Sequence, residues 1–152
     1  MTLSAEYEHM KNYLTIQKIR FEDRVHIEVE DLPAQGELVT VPRLILQPIV
    51  ENSYKYVFEH VEKEGRLRVK TKETEEAISI IVEDSGFEMS DTVIMRIQEA
   101  FTKDDGHITG LGNLNKRLQF INPQNKIDVK KSELGGSEIV LTIIKEGDGE
   151  HV

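Results

Sequence analysis

Apolar residues follow two different periods along this chain, and the order of these periods constrains the fold more than any other feature. Alternation of apolar and polar residues, which is typical of strands, occurs in residues 25–30, 66–72, 77–84, 125–131 and 137–145. Helical spacing occurs in residues 3–21, 42–60, 90–101 and 113–121. Strand pairs separated by helices predict an α/β two-layer sandwich: a mixed sheet of about five strands, three helices on one face, and an additional N-terminal helix.

The first predicted helix carries apolar residues on two sides. One side repeats at alternating steps of four and three residues: Leu3, Tyr7, Met10, Leu14, Gln17 and Phe21. A second side consists of Tyr13, Ile16 and Ile19. We therefore expect this helix to pack on two sides, and we interpret it as the end of a longer helix.

Prolines and glycines set the expected boundaries of the other elements. Pro42 suits the first turn of the second helix, whereas Pro48 must bend that helix or mark a later start. Residues 73–76 are predicted to close a hairpin between two strands. Residues 102–112 contain three glycines without any period and predict a loop, and the tail 146–152 is predicted to be disordered.

Composition excludes several classes of function. The 152 residues are enough for one domain with a core, and no apolar run is long enough to cross a bilayer. The absence of cysteine excludes disulfides and thiolate zinc sites. The net charge of −9 argues against a nucleic-acid partner, but a nucleotide carried with Mg²⁺ remains compatible with it.

Polar residues are concentrated on one side of the second helix, in 47-QPIVENSYKY-56. Glu51, Asn52 and Lys55 are three or four residues apart and are therefore neighbours on the helix surface. Taken alone, this side is either a solvated face with a helical ion pair or a binding site, and the residues of this helix do not decide between them.

An acid ends an apolar strand in 83-EDSGFEMS-90. Asp84 at this strand end can accept a hydrogen bond from the exocyclic amine of a base, and Gly86 permits a close approach. The same Asp-Ser-Gly sequence is also common in simple turns.

Glycines lead directly into a helix in 106-GHITGLGNLNKRL-118. Backbone N–H groups at a helix N-terminus favour a bound phosphate, although a glycine-permitted turn in a flexible loop would have the same sequence. The segment is not a P-loop, because no Gly-Lys-Ser/Thr follows, and it is not a dinucleotide fingerprint, because it follows no strand.

Taken in order, these three segments resemble the ATP-binding catalytic domain of sensor histidine kinases, in the superfamily shared with gyrase, heat-shock chaperone and mismatch-repair ATPases. The closest resemblance is to the LytS-type kinases. Their helix P-x-L-x-L-Q-P-L-V-E-N-A-x-K-H/Y is similar to 42-PRLILQPIVENSYKY-56. Their approach helix Y-L-x-I-x-K-x-R-F is similar to 13-YLTIQKIRF-21, and their final G-G-T/S-x-V/I-x-L is similar to 135-GGSEIVL-141.

The resemblance implies roles for the residues of the second helix. Asn52 takes the position of the amide that holds Mg²⁺ against the ATP phosphates, and a single amide oxygen plus phosphates makes a reasonable shell for this ion. Glu51 takes the position of the base or water-orienting acid, or of the acid that polarises the incoming histidine. Lys55 and Tyr56 are expected to reach phosphate or ribose.

The resemblance also implies an adenine end and a lid. Asp84 would read the adenine amine, and Ser137 would support adenine through water. Residues 98–110 would form the lid over the phosphates, and Arg117 would support the last helix or contact phosphate. The remaining positions implied in ATP binding are Gly86, Met89, Gly110 and Leu111.

Two positions depart from the family pattern. Glu88 stands where the second glycine of D-x-G-x-G is expected, and Ile108 stands where the lid carries its first glycine. These departures keep open an alternative, namely a degenerate ATP-fold domain that signals by contact without catalysis. A gyrase-like or chaperone-like clamp is disfavoured, because those domains are longer and lack 13-YLTIQKIRF-21.

The resemblance further implies a division of the parent protein. Residues 1–21 would end its linker or dimerisation helix, and residues 22–145 would form the kinase domain. The phosphoacceptor segment of the family is absent here, and His9 lies in the linker and lacks the acceptor motif, so the histidine-bearing dimerisation domain is expected outside this chain. A response regulator is expected as a further partner. The fragment itself is expected to be monomeric, and the parent protein is expected to be a homodimer. The domain would lie in the cytoplasm, attached to a membrane protein.

Overall fold

The structure, a computed structural model, describes residues 1–20, 25–60, 65–85 and 110–145. The predicted helix over 90–101, most of the predicted loop and the tail 146–152 lie outside these ranges. The helices are α1 (Leu3–Arg20), α2 (Gln47–His60) and α3 (Gly110–Ile121), with a short 3-10 helix over Ala34–Leu38. The strands are β1 (Val25–Val29), β2 (Gly65–Glu73), β3 (Ala77–Asp84), β4 (Lys126–Lys131) and β5 (Ser137–Ile144).

The described strands form one mixed sheet, as the pattern predicted. The order is β1-β2-β3-β5-β4, with β1 and β2 parallel and the other neighbours antiparallel. The predicted hairpin joins β2 to β3, and the Thr74 hydroxyl accepts the N–H of Ala77 at 3.0 Å to close its turn. The sheet brings the end of β3 next to the start of β5, where Glu83 and Glu138 are directly opposed.

The core lies between one face of the sheet and the helices. Ile78, Ile80 and Val82 alternate along β3 and are fully buried, and the helical seam of α1 supplies Leu3, Tyr7, Met10 and Leu14 from the opposite layer. The expectation that α1 packs on both sides is met only in part: Tyr13 of the second side packs against the core, whereas Ile16 is 55% exposed and Ile19 is 68% exposed.

Two helix starts differ from the sequence expectation. The second helix begins at Gln47, not at Pro42, so Pro48 lies in its first turn, where a missing N–H costs nothing. The chain before it makes a turn instead, because Leu44 adopts a left-handed backbone with φ 54°. The last helix begins at Gly110, three residues earlier than the apolar spacing predicted.

The other face of the sheet carries a network of charged side chains around Glu83. This carboxylate is buried and accepts hydrogen bonds from Arg68 at 2.9 Å and from Lys70 at 2.8 Å. Burial alone would raise the pKa of Glu83, but the hydrogen bonds from Lys70, Glu138 and Arg68 outweigh it, so that this pKa is lowered. Burial and the hydrogen bond with Glu83 raise the pKa of Glu138.

Candidate nucleotide site

The best-defined polar arrangement on the helical side of the sheet is centred on Asp84, the last residue of β3. Its side chain is buried, with 4% of the residue exposed. The Ser137 hydroxyl donates to Oδ2 at 2.7 Å, and the Ser137 backbone N–H donates to Oδ1 at 3.3 Å. The Asp84 carboxylate is therefore fixed in position by the first residue of β5.

Gly136 allows the two strands to approach closely at this point. Its N–H donates to the backbone carbonyl of Asp84 at 2.9 Å. A Cβ atom at Gly136 would lie 2.1 Å from Asp84 Oδ1 and 2.5 Å from the Asp84 carbonyl oxygen, so any side chain here would displace the carboxylate. The glycine pair before Ser137 can be recognised in the sequence, but the contact of Gly136 with Asp84 can be seen only once the strands are paired in the sheet.

Ser85 continues the strand end toward the predicted adenine loop. Its N–H donates to the carbonyl of Arg66 at 3.1 Å, and its side-chain oxygen accepts the N–H of Arg66 at 2.8 Å. These two hydrogen bonds fix the backbone directly before Gly86 and Met89, the next residues predicted to bind the nucleotide. Gly86 and Met89 themselves lie outside the described residues.

The second helix presents a buried side and a polar side, as its sequence predicted. Ile49, Val50 and Ser53 are buried, whereas Glu51 is partly exposed and Asn52 is exposed. The helix packs against β2 and β3, the strands that lead to Asp84. Lys55 and Tyr56 belong to the next turn of the same helix, of which only the backbone is described.

Glu51 is held on the side of α2 that faces α1. Gln47, one turn before Glu51 in the same helix, donates a hydrogen bond from its side-chain amide to Glu51 Oε1 at 2.9 Å. Burial, followed by the charge of Glu51 and the neighbouring Tyr54, raises the pKa of Tyr13. The rings of Tyr13 and Tyr54 meet edge to face, with centroids 6.4 Å apart and planes at 86°.

The sequence alone did not reveal that α1 reaches the candidate catalytic acid. The sequence pattern places Tyr13 on an apolar side of the first helix and indicates no role for Tyr54. Tyr13 does open the motif 13-YLTIQKIRF-21, which is the signal that could have directed attention to it.

The third helix places the predicted phosphate-binding glycines in its first turn. Gly110 and Leu111 are the first two residues of α3 within the described part of the chain. N–H groups in the first turn of a helix have no partner inside that helix. Arg117 donates to the backbone carbonyl of Arg43, the residue before the left-handed turn. This contact joins α3 to the turn that leads into α2, in agreement with the supporting role expected for Arg117.

Within the described ranges, no three His, Cys, Asp or Glu side chains are grouped so that they could hold a metal ion. The predicted magnesium position depends on one amide, that of Asn52. An amide oxygen suits this ion, and the exposure of Asn52 leaves it accessible to a ligand. The donor set therefore fits a metal that is brought in by phosphates.

Comparisons with known proteins identify the family. A family model described as "Histidine kinase-, DNA gyrase B-, and HSP90-like ATPase" matches residues 39–147. The chain belongs to this ATPase family. The membership confirms the resemblance seen in the helix, strand-end and glycine segments.

Two sensor kinases are among the similar sequences. The chain is 28% identical to the sensor histidine kinase YesM of Bacillus subtilis over 145 residues, which cover 94% of this chain and 24% of YesM. It is 31% identical to the sensor protein LytS of Streptococcus agalactiae serotype V over 122 residues, 80% of this chain and 21% of LytS. The chain thus spans about a quarter of the length of the curated relatives that it matches.

Solved structures share the fold at low sequence identity. The nucleotide-free catalytic domain of the histidine kinase ThkA matches with a TM-score of 0.66 and 14% identity, covering 95% of this chain and 94% of that one. The ATP-binding domain of PrrB from Mycobacterium tuberculosis matches with a TM-score of 0.64 and 14% identity, covering 97% and 96%. These matches confirm the predicted fold. Among the described residues, no helix is both long and apolar enough to cross a membrane.

Proposed function

We propose that this chain is the ATP-binding catalytic domain of a two-component sensor histidine kinase, which transfers the γ-phosphoryl group of ATP to a histidine on a domain outside the chain. The observation that carries the proposal is the buried Asp84 carboxylate, which Ser137 fixes at the end of β3, one of the two strands that α2 packs against. The 31% identity to LytS supports the kinase class within the family.

Asp84 would select adenine. Ser137 donates to both of its oxygens, and each carboxylate oxygen can accept more than one hydrogen bond, so Asp84 is able to accept a hydrogen bond from the adenine 6-amino group as well. Guanine presents a carbonyl oxygen at this position, which cannot donate. A lost hydrogen bond to a charged group costs about 1.5–3 kcal/mol, so guanine nucleotides should bind about 10–150-fold more weakly.

Asn52 and the first turn of α3 would bind the phosphates. The Asn52 amide oxygen would be the protein ligand to Mg²⁺, which when bound would neutralise charge on the phosphate oxygens. The backbone N–H groups at the start of α3 can donate to a phosphate oxygen. Gly86 and Met89 would line the adenine end, while Lys55, Tyr56, Gly110 and Leu111 would line the phosphate end.

Glu51 would act on the incoming histidine. A carboxylate oriented by Gln47 can accept the N–H of one imidazole nitrogen, which leaves the lone pair of the other nitrogen to attack the γ-phosphorus. The N–P bond forms as the bond from the γ-phosphorus to the bridging oxygen breaks, and ADP leaves with that oxygen. In this reaction class, catalysis consists mainly of positioning and charge stabilisation.

The parent protein would supply the remaining parts. We assign residues 1–21 to the end of its linker or dimerisation helix, residues 22–145 to the kinase domain and residues 146–152 to a tail. The parent would be a homodimeric membrane protein that uses this domain in the cytoplasm and passes the phosphoryl group to a response regulator. This chain alone would be monomeric.

The proposal is tested by unfolding the protein in urea with Mg-ADP, Mg-GDP or no nucleotide. Mg-ADP at a hundredfold excess over its dissociation constant should stabilise the fold by about 2.7 kcal/mol. At the same concentration, Mg-GDP should stabilise it much less. The exposed Asn52 can be replaced by alanine without disturbing the core, and Asn52→Ala should abolish the magnesium-dependent part of the stabilisation.

The second candidate function is a degenerate domain that signals without catalysis, favoured by Glu88 and Ile108 in the glycine segments, both outside the described residues. No stabilisation by millimolar Mg-ADP, together with Asn52→Ala indistinguishable from the unmodified protein, would favour this alternative and contradict the kinase proposal.

A further inference from the structure

One carboxylate of α1 is buried outside the site described above. Glu6 is only 2% exposed. Its Oε1 accepts the backbone N–H of Leu44 at 2.9 Å, and its Oε2 accepts the backbone N–H of Ile45 at 3.1 Å. Burying an ionised carboxylate is costly unless its oxygens are hydrogen-bonded, and here each oxygen has its own donor.

The two donors belong to the turn that leads into α2. Leu44 has the left-handed backbone, and α2 begins at Gln47. The residue directly before the helix, Leu46, has an apolar side chain and cannot cap it, although its carbonyl accepts the N–H of Ile49 and of Val50 at 3.1 Å. A carboxylate from another helix therefore organises the entry of α2.

The start of α1 is attached to the same part of the chain by its backbone. The N–H of Leu3 donates to the carbonyl of Val39 at 2.8 Å, and the N–H of Val41 donates to the carbonyl of Met1 at 2.9 Å. Together with Glu6, these bonds make residues 39–45 follow the position of α1. A displacement of α1 would therefore act on the chain that leads into the first turn of α2.

We propose that Glu6 is a positioning residue that couples the orientation of α1 to Asn52 and Glu51, which lie one to two turns into α2. The inference rests on the proposed function, since it gives those two residues their role at the phosphates. The adenine end does not depend on this coupling, because Asp84 is fixed by Ser137 across the sheet. Loss of the Glu6 contacts should therefore weaken binding at the phosphate end and leave binding of the base unchanged.

The test is Glu6→Gln, which keeps the shape of the side chain but turns one acceptor into a donor that faces an N–H group. Calorimetric titration with adenosine and with Mg-ADP should give an unchanged dissociation constant for adenosine and one about tenfold weaker for Mg-ADP. The matched control is Glu8→Gln on the same helix, where the carboxylate is exposed and pairs only loosely with Lys11 at 3.8 Å. It should change neither constant.

Equal weakening of both ligands would assign Glu6 a merely structural role and overturn the proposal, as would an unchanged constant for Mg-ADP. Amide hydrogen exchange, which needs no ligand, separates this inference from the proposed function. In the unmodified protein the Leu44 and Ile45 amides should be protected, and Glu6→Gln should release them and the first turn of α2 while Val82 in β3 stays protected.

Rapid exchange of the Leu44 and Ile45 amides in the unmodified protein would overturn the coupling, even if Glu6→Gln did not fold. Failure of the unmodified protein to bind Mg-ADP would refute the proposed function and, with it, the role of Glu6 at the phosphates.

Discussion

Gly136→Ala is the substitution whose effect the geometry predicts most directly. The added Cβ would lie 2.1 Å from Asp84 Oδ1 and 2.5 Å from the Asp84 carbonyl oxygen. Both distances are far below van der Waals contact, so Asp84 or the β5 backbone must move. Either movement breaks the geometry in which Ser137 holds the carboxylate.

Two separate magnitudes follow. Inserting a methyl group into a tightly packed site costs about 1–3 kcal/mol of stability. A displaced carboxylate also loses its hydrogen bond to the adenine amine, which is worth about 1.5–3 kcal/mol because the acceptor is charged. The dissociation constant for Mg-ADP should therefore rise about 10–150-fold.

Gly135→Ala is the matched control at the adjacent residue. Gly135 has φ +107°, so an alanine there is strained, yet its Cβ would meet no atom within 4 Å. The backbone strain should cost roughly 1–3 kcal/mol of stability, similar to the cost at Gly136. Because nothing presses on Asp84, affinity for Mg-ADP should stay within about twofold of the unmodified protein, a change worth less than about 0.5 kcal/mol.

The assay is urea unfolding for stability and calorimetric titration for affinity, on both variants under the same conditions. The expected result is similar destabilisation of both variants with loss of affinity in Gly136→Ala alone. Equal affinities in the two variants would refute the reasoning, because they would mean that the position of Asp84 does not control binding.

Two further predictions concern stability. Glu138→Gln should stabilise the fold at pH 7 by about 0.2–1 kcal/mol, because it removes a like charge directly opposite Glu83. The raised pKa of Glu138 means that its stabilising contribution is present below its unfolded pKa of about 4.5 and is lost as the pH rises through the folded pKa. The advantage of glutamine should therefore vanish near pH 4 in urea unfolding, and an advantage of equal size at pH 4 and pH 7 would count against repulsion between Glu83 and Glu138 as its cause. Asn125→Ala should destabilise the fold by about 1–3 kcal/mol, because the buried amide donates to the carbonyl of Leu118 in α3 at 3.0 Å and accepts the N–H of Ile144 at 2.7 Å. The substitution removes both bonds and the acceptor of the Ile144 N–H, whereas the Leu118 carbonyl keeps its bond from the N–H of Asn122 at 3.2 Å. Asn122→Ala, in the adjacent exposed turn, is its control and should cost about 1 kcal/mol or less in the same assay; equal costs at the two positions would contradict a specific role for the buried amide.

Strands were predictable from the sequence because their signal is local. The alternation over 77–84 matched β3 at both ends, since Ile78, Ile80 and Val82 all meet the same core face. The resemblance also placed Asp84 and Ser137 in one site, and the sheet brings them into hydrogen-bond contact.

Features that depend on distant residues were not predictable in the same way. The start of α2 was placed too early, because the turn before it is organised by Glu6, 38 residues away from Leu44 along the chain. The contact of Gly136 with Asp84 likewise needs the pairing of β3 with β5. The position of Glu51 beside Tyr13 requires the packing of α1 on α2, which no periodic pattern specifies.

Phosphoryl transfer to a separately supplied histidine domain of the parent protein tests the central proposal most directly. With γ-labelled ATP and Mg²⁺, the unmodified chain should label the histidine domain, and Asn52→Ala should reduce the rate by about a hundredfold or more, as expected when a ligand that stabilises transition-state charge is lost. A histidine domain that stays unlabelled, although the chain binds Mg-ATP, would contradict catalysis and leave a nucleotide-binding signalling module.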